Sequence, residues 1–153
     1  MTALVVITLI RLTGDWKAVD CGVSWLLSRQ GQESHWLMKW RYRTTDQKVR
    51  FNPDKYGWPW TAGTSSWVVP TAYSLMALRS RFICCMTEAA DVRLRKGVEM
   101  LFDRVCPGGG WNAGNGVVNG TPLTPHADVT SLALRVLPAG PGKSERGSVI
   151  QKQ

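Results

Sequence analysis

The sequence predicts an all-α fold built from helical hairpins, and two recurring phrases predict it. A helix opening is spelled three times: Thr2-Ala3 with Val6 and Leu9, Thr71-Ala72 with Leu75 and Leu78, and Thr130-Ser131 with Leu134 and Leu137. Small residues lead, and large aliphatics follow at helical spacing. A second phrase runs from Gly22-Val23-Ser24-Trp25-Leu26-Leu27 through Ser28-Arg29-Gln30 to Trp36. It returns as Gly97-Val98-Glu99-Met100-Leu101-Phe102, through Asp103-Arg104-Val105, to Gly110-Trp111. Two alternating helix types at a long period are the signature of a helical-hairpin repeat.

The elements follow in order. The first helix is Thr2 to Leu12, stopped by Thr13-Gly14-Asp15. The second runs from about Trp16 to Arg29, with Val19, Val23, Leu26 and Leu27 on one face. Residues 31–66 read as a long polar and aromatic connection in which Asn52-Pro53-Asp54 marks a turn. The third helix spans about Trp67 to Phe82, with Pro70 in its first turn. Thr87 is the expected N-cap of the fourth, Glu88 to Val105, whose stripe is Leu94, Val98, Leu101 and Val105. Residues 106–124 form a second, Gly/Asn-rich connection. The fifth helix runs from Pro125 to Leu137 behind Thr124. The domain therefore covers residues 1–137, and 138–153, rich in Gly, Ser and charge, reads as a disordered tail. No sheet is expected.

The repeat spacing is uneven: 69 residues separate Thr2 from Thr71, and 59 separate Thr71 from Thr130. The first hairpin carries an extra segment, roughly Leu37 to Tyr56. Insertions in repeat proteins tend to share one face, often the binding face. The chain holds two full hairpins and one further helix of the Thr-Ala type. So short a stack leaves apolar faces uncovered, which predicts self-association or a partial domain of something longer.

Composition narrows the class. At 153 residues and 44% apolar content the chain is one domain with a real core. The net charge is +8, and much of it lies between Lys39 and Lys55, most simply a solvated loop. Cys21, Cys84, Cys85 and Cys106 match neither a zinc spacing nor a disulfide framework, so reduced, largely buried thiols and a cytoplasmic location are expected. Thr2–Ile10 is apolar, but no basic residue precedes it, and it is too short to span a bilayer. Its match to the other Thr-Ala helices makes it a core helix, with a membrane-peripheral role as the alternative.

The segments Gly22–Gly31 with Trp36, Gly57-Trp58-Pro59-Trp60 followed by Trp67–Ala72, and Gly109-Gly110-Trp111-Asn112 resemble prenyltransferase and squalene-cyclase repeats. The stretch from Gln30 to Trp36 is similar to the Gln-Trp motif of squalene–hopene and oxidosqualene cyclases. The resemblance covers residues 2–137. It implies part of an α/α toroid, with the Thr-Ala helices on the inside, around a cavity that holds an isoprenoid. It further implies a terpenoid cyclase/prenyltransferase-like protein binding an isoprenoid or similar apolar ligand; catalysis would be isomerase or transferase work on carbocations.

The cyclases of this family place a general acid in an Asp-x-Asp-Asp-Thr-Ala motif before an inner helix. Here Trp67-Val68-Val69-Pro70 precedes Thr71 without an acid, and His126-Ala127-Asp128-Val129 precedes Thr130. Asp128 falls on the middle Asp, the proton donor, with His126 in place of the first. These two are the candidate catalytic residues. The simpler readings are a helix-start anion for Asp128 and a turn residue for His126. Trp58, Trp60, Trp67, Tyr73 and Trp111 are the candidate substrate-binding wall, through cation–π attraction. The simpler reading is that these rings pack between hairpins, with each indole N–H on a carbonyl. Zinc ligands of the prenyltransferase kind are missing from the inner helices, so no metal and no cofactor is expected. The expected partners are an isoprenoid-like small molecule, a membrane surface and a second copy of the chain, rather than nucleic acid. A non-catalytic helical-repeat interaction module is the rival function.

Overall fold

The computed structural model of this chain describes residues 2–44, 51–83 and 85–137; the tail from Pro138 lies outside them. Among the described residues six α-helices run in order: α1 Thr2–Leu12, α2 Trp16–Ser28, α3 Trp36–Thr44, α4 Val68–Arg81, α5 Glu88–Asp103 and α6 Ala127–Val136. They form two layers. In one, α4 packs between α1 and α6; in the other, α2 lies on α1 and α5 lies on α4. The three Thr-Ala helices thus share a layer.

Local chemistry explains the element ends. Gly14 ends α1 at φ 64, a conformation glycine adopts without strain. Asp15 then caps α2, its carboxylate accepting from the Ala18 N–H at 3.1 Å. Thr87 caps α5 in the same way through Ala90 at 3.2 Å. The two phrase-opening glycines hold the layers together. A Cβ on Gly22 would lie 2.5 Å from Val6 Cγ2, and one on Gly97 would lie 2.9 Å from Leu75 Cδ2. Val6 and Leu75 are equivalent residues of α1 and α4, so each pair seats the same aliphatic side chain on bare backbone.

The repeat recurs in its hydrogen bonds. The Trp58 N–H donates to Thr71 Oγ1 at 2.9 Å, the Thr71 hydroxyl donates to the Trp58 carbonyl, and the Trp58 indole donates to the Leu26 carbonyl at 2.8 Å. The Trp111 N–H donates to Thr130 Oγ1 at 3.0 Å, the Thr130 hydroxyl donates back, and the Trp111 indole donates to the Leu101 carbonyl at 2.7 Å. Each tryptophan therefore latches an incoming Thr-Ala helix to the C-terminal end of an outer-layer helix, α4 to α2 and α6 to α5. Gly57 and Gly110 precede the latches, where a side chain would strike Thr71 and Thr130.

This corrects the sequence alignment of the two hairpins. The counterpart of Trp111 is Trp58, not Trp36, which opens α3 and is 72% exposed. The Gly31 N–H meets the Gly57 carbonyl at 3.3 Å, as the Cys106 N–H meets that of Gly110 at 3.0 Å. The first excursion, residues 32–56, therefore replaces a turn of only 107–109. It is no structureless connection: it contains a 3₁₀ turn, Gln32–Ser34, and then α3. The second hairpin has its own addition, a two-stranded ribbon of β1 (Val117–Val118) and β2 (Thr121–Pro122), where no sheet was expected. Asn119 and Gly120, both at positive φ, supply its turn.

The uncovered faces are visible. Leu4, Val5 and Leu12 of α1 and Leu134 of α6 are exposed. Leu134 is equivalent to Leu75, which is fully buried against α5. Sedimentation at low micromolar concentration is therefore expected to find oligomers; a stable monomer would contradict this reading of the open faces.

Candidate functional site

The two Thr-Ala helices α1 and α4 open their N-terminal turns onto a small apolar pocket of about 80 Å³. Thr2, Ala3 and Leu4 line one side and Pro70, Tyr73 and Ser74 the other; Trp25, Trp58, Pro59 and Trp60 complete the wall. Three of the five residues expected from sequence as a substrate wall, Trp58, Trp60 and Tyr73, thus meet in one place. Its charged lining residue is Arg29, whose guanidinium lies 5.2 Å from the Trp25 ring. The pocket is well below the roughly 300–1,000 Å³ typical of small-molecule sites, so it admits the end of an apolar chain rather than a whole terpenoid.

Tyr73 also lines a second, more open groove between α4 and α6, of about 290 Å³. Its walls are Val69 and Tyr73 from α4 and Asp128, Val129, Ser131, Leu132 and Arg135 from α6. Asp128 is exposed in the first turn of α6. Proton donation to an alkene instead asks for a carboxyl sheltered from water. His126 is not among the lining residues. It is the N-cap residue of α6, its ring nitrogen 3.4 Å from Asn112 Nδ2. The remaining candidates lie apart from both pockets. Trp111 is spent on its latch. Trp67, half-exposed, precedes α4 with its ring against Gly114, where an added Cβ would come within 3.2 Å.

Three buried charges escape the sequence reading. Arg93 on α5 is 8% exposed, its guanidinium 4.0 Å from the Trp58 ring centroid and 5.4 Å from that of Tyr56. It donates to the Arg29 and Gly57 carbonyls at 2.9 and 3.2 Å. Burial pushes its pKa down to about 10, opposed by Tyr56, so it stays charged at neutral pH. It backs the pocket wall by stacking under Trp58. Glu33 and Arg104 are 0% and 1% exposed, with Arg104 Nη2 3.9 Å from Glu33 Oε1. Glu33 also accepts from the Ser66 N–H at 3.1 Å, and Arg104 donates to Asp103 at 2.7 Å beneath Phe51. Burial lowers the Arg104 pKa, countered by Asp103 and Glu33. Single buried charges carry no periodic signal in sequence; in the structure Gly31 leaves room for the Glu33 carboxylate, where a Cβ would collide with Oε2.

Cys106 is buried while Cys21 and Cys85 are exposed, so the thiols are not uniformly in the core; Cys84 lies outside the described residues. No cluster of three His, Cys, Asp or Glu suited to a metal occurs among the described residues. No helix among them is long and apolar enough to cross a membrane. Comparison with protein-family models, with curated proteins and with solved structures returned no match.

Proposed function

We propose that the helices form part of a terpenoid-cyclase-like α/α toroid whose Thr-Ala layer binds an isoprenoid or similar apolar chain without turning it over. The observation that carries this reading is the repeated Gly-Trp-Thr latch. It ties α4 to the end of α2 and α6 to the end of α5; α4 then packs between α1 and α6, and Tyr73 lines both the apolar pocket and the groove beside it. Trp25, Trp60 and Tyr73 offer aromatic walls to an apolar chain, and Arg29 offers a cation at the rim. The exposure of Asp128 supports binding over alkene protonation.

Equilibrium dialysis of the chain with a tritiated isoprenoid alcohol tests the binding. Saturable uptake is expected, weakened about tenfold by Tyr73→Ala through lost apolar contact. Incubation with squalene and with a prenyl diphosphate, followed by mass analysis, is expected to return no product. A cyclised product abolished by Asp128→Asn would make Asp128 an acid and overturn the non-catalytic part. Absence of saturable uptake would favour the rival, a helical-repeat interaction module, which the exposed Leu4, Val5 and Leu12 stripe of α1 supports.

A further inference from the structure

We propose that α6 is the interface of a two-fold dimer, in which each copy lays this helix antiparallel against the same helix of a second copy. The inference does not rest on the isoprenoid reading, because no α6 residue lines the pocket between α1 and α4.

The helix Ala127–Val136 is covered on one side. Val129, Ala133 and Val136 are buried, and the helix packs on α4. Ala127, Asp128, Ser131, Leu134 and Arg135 are all exposed. At about 100° per residue these five fill an arc of about 120°, with Ser131 at its centre. The arc is not built like an ordinary wet face. Leu134 is 59% exposed, whereas the equivalent Leu75 of α4 is fully buried. Ala127 and Ser131 are small, so another backbone has room to approach between the longer side chains. Asp128 and Arg135, about two turns apart, stand together on one flank of the arc. Among the described residues neither has an ionic partner, although surface pairs such as Asp20–Arg81 and Asp91–Arg95 form elsewhere.

This pattern is its own complement. Ser131 lies three residues after Asp128 and four before Arg135. A second copy turned about an axis beside Ser131 therefore brings its Arg135 to Asp128 and its Asp128 to Arg135. Both pairs form at once, as an isologous contact requires. The same turn carries each Leu134 over the small Ala127 of the other copy and takes it out of water. Exposed ion pairs add little attraction; what they fix is direction, because a parallel, in-register copy would set acid on acid and base on base. A small zwitterion would meet both charges but leave Leu134 bare. The second copy satisfies all three.

Sedimentation equilibrium of the full chain at micromolar concentration and low salt tests the proposal. The parent is expected to dimerise. Asp128→Arg leaves only bases at the contact and Arg135→Asp only acids, so each variant alone is expected to dimerise at least about tenfold more weakly. Mixed in equal amounts, the two variants are expected to form a heterodimer as tight as the parent dimer, because every base then meets an acid. Leu134→Ser, which alters no charge, is expected to weaken the parent dimer about tenfold. All three side chains are exposed, so the circular dichroism spectra are expected to match that of the parent. A monomeric parent, an unaffected Leu134→Ser, or a mixture that stays monomeric would each overturn the proposal. Single charge variants that associate as the parent does would overturn it too, and would move the contact to the exposed stripe of α1.

Discussion

Trp58→Ala is expected to remove about 3–5 kcal/mol of stability, a large part of what a domain of this size possesses. Three losses coincide. The fully buried ring leaves a cavity between α2, α4 and α5; the Leu26 carbonyl loses its indole partner; and Arg93 loses the face it stacks on. Buried polar groups left without partners add to the cost of the void itself. In urea, the midpoint should fall with little change in slope. Trp111→Ala should behave similarly, because it breaks the equivalent latch at Leu101. A loss below about 1 kcal/mol for either would mean that the indoles fill space without holding the helices.

The second large effect is expected from Glu33→Ala. It leaves Arg104 buried with only Asp103 as counter-charge and strips the Ser66 N–H of its acceptor, at a cost of about 3 kcal/mol. Because much of the damage comes from a buried cation left with one counter-charge instead of two, Glu33→Ala/Arg104→Met should be more stable than Glu33→Ala alone. Equilibrium unfolding of the two variants decides it; a double variant that merely adds a second loss would show that the pair is not coupled.

Much of this architecture is written in local pattern. Thr-Ala openings, capping residues such as Thr87 and aliphatic spacing are one-dimensional signals, and the five longer helices lie close to where those signals put them. The features that sequence misses have two causes. The first is weak patterning: α3 leaves Trp36, Leu37 and Trp40 exposed and puts none of its described side chains fully in the core, so its sequence gives no core stripe and looks like a polar connection. The second is long-range pairing. Nothing near Glu33 indicates Arg104, and nothing near Trp36 or Trp58 says which of them reaches back to Leu26. The β1–β2 ribbon is a different case. Val117-Val118-Asn119-Gly120-Thr121 contains the Asn-Gly turn that is the strongest short hairpin signal. Among the candidate site residues, adjacency in sequence misled for Asp128 and His126: one faces the α4–α6 groove, and the other turns to Asn112.

The paired closures at Gly31–Gly57 and Cys106–Gly110 make the hairpin tip a natural grafting port. In both hairpins an N–H to carbonyl contact closes the chain where the excursion leaves and re-enters the domain. Lengthening the excursion from the size of 107–109 to that of 32–56 costs only about 2 kcal/mol in loop-closure entropy. New material can therefore be spliced there without disturbing either tryptophan latch. The excursion it replaces also supplies Glu33, the buried second counter-charge of Arg104 and the acceptor for the Ser66 N–H, so a replacement for 32–56 that restores an acid there keeps both contacts.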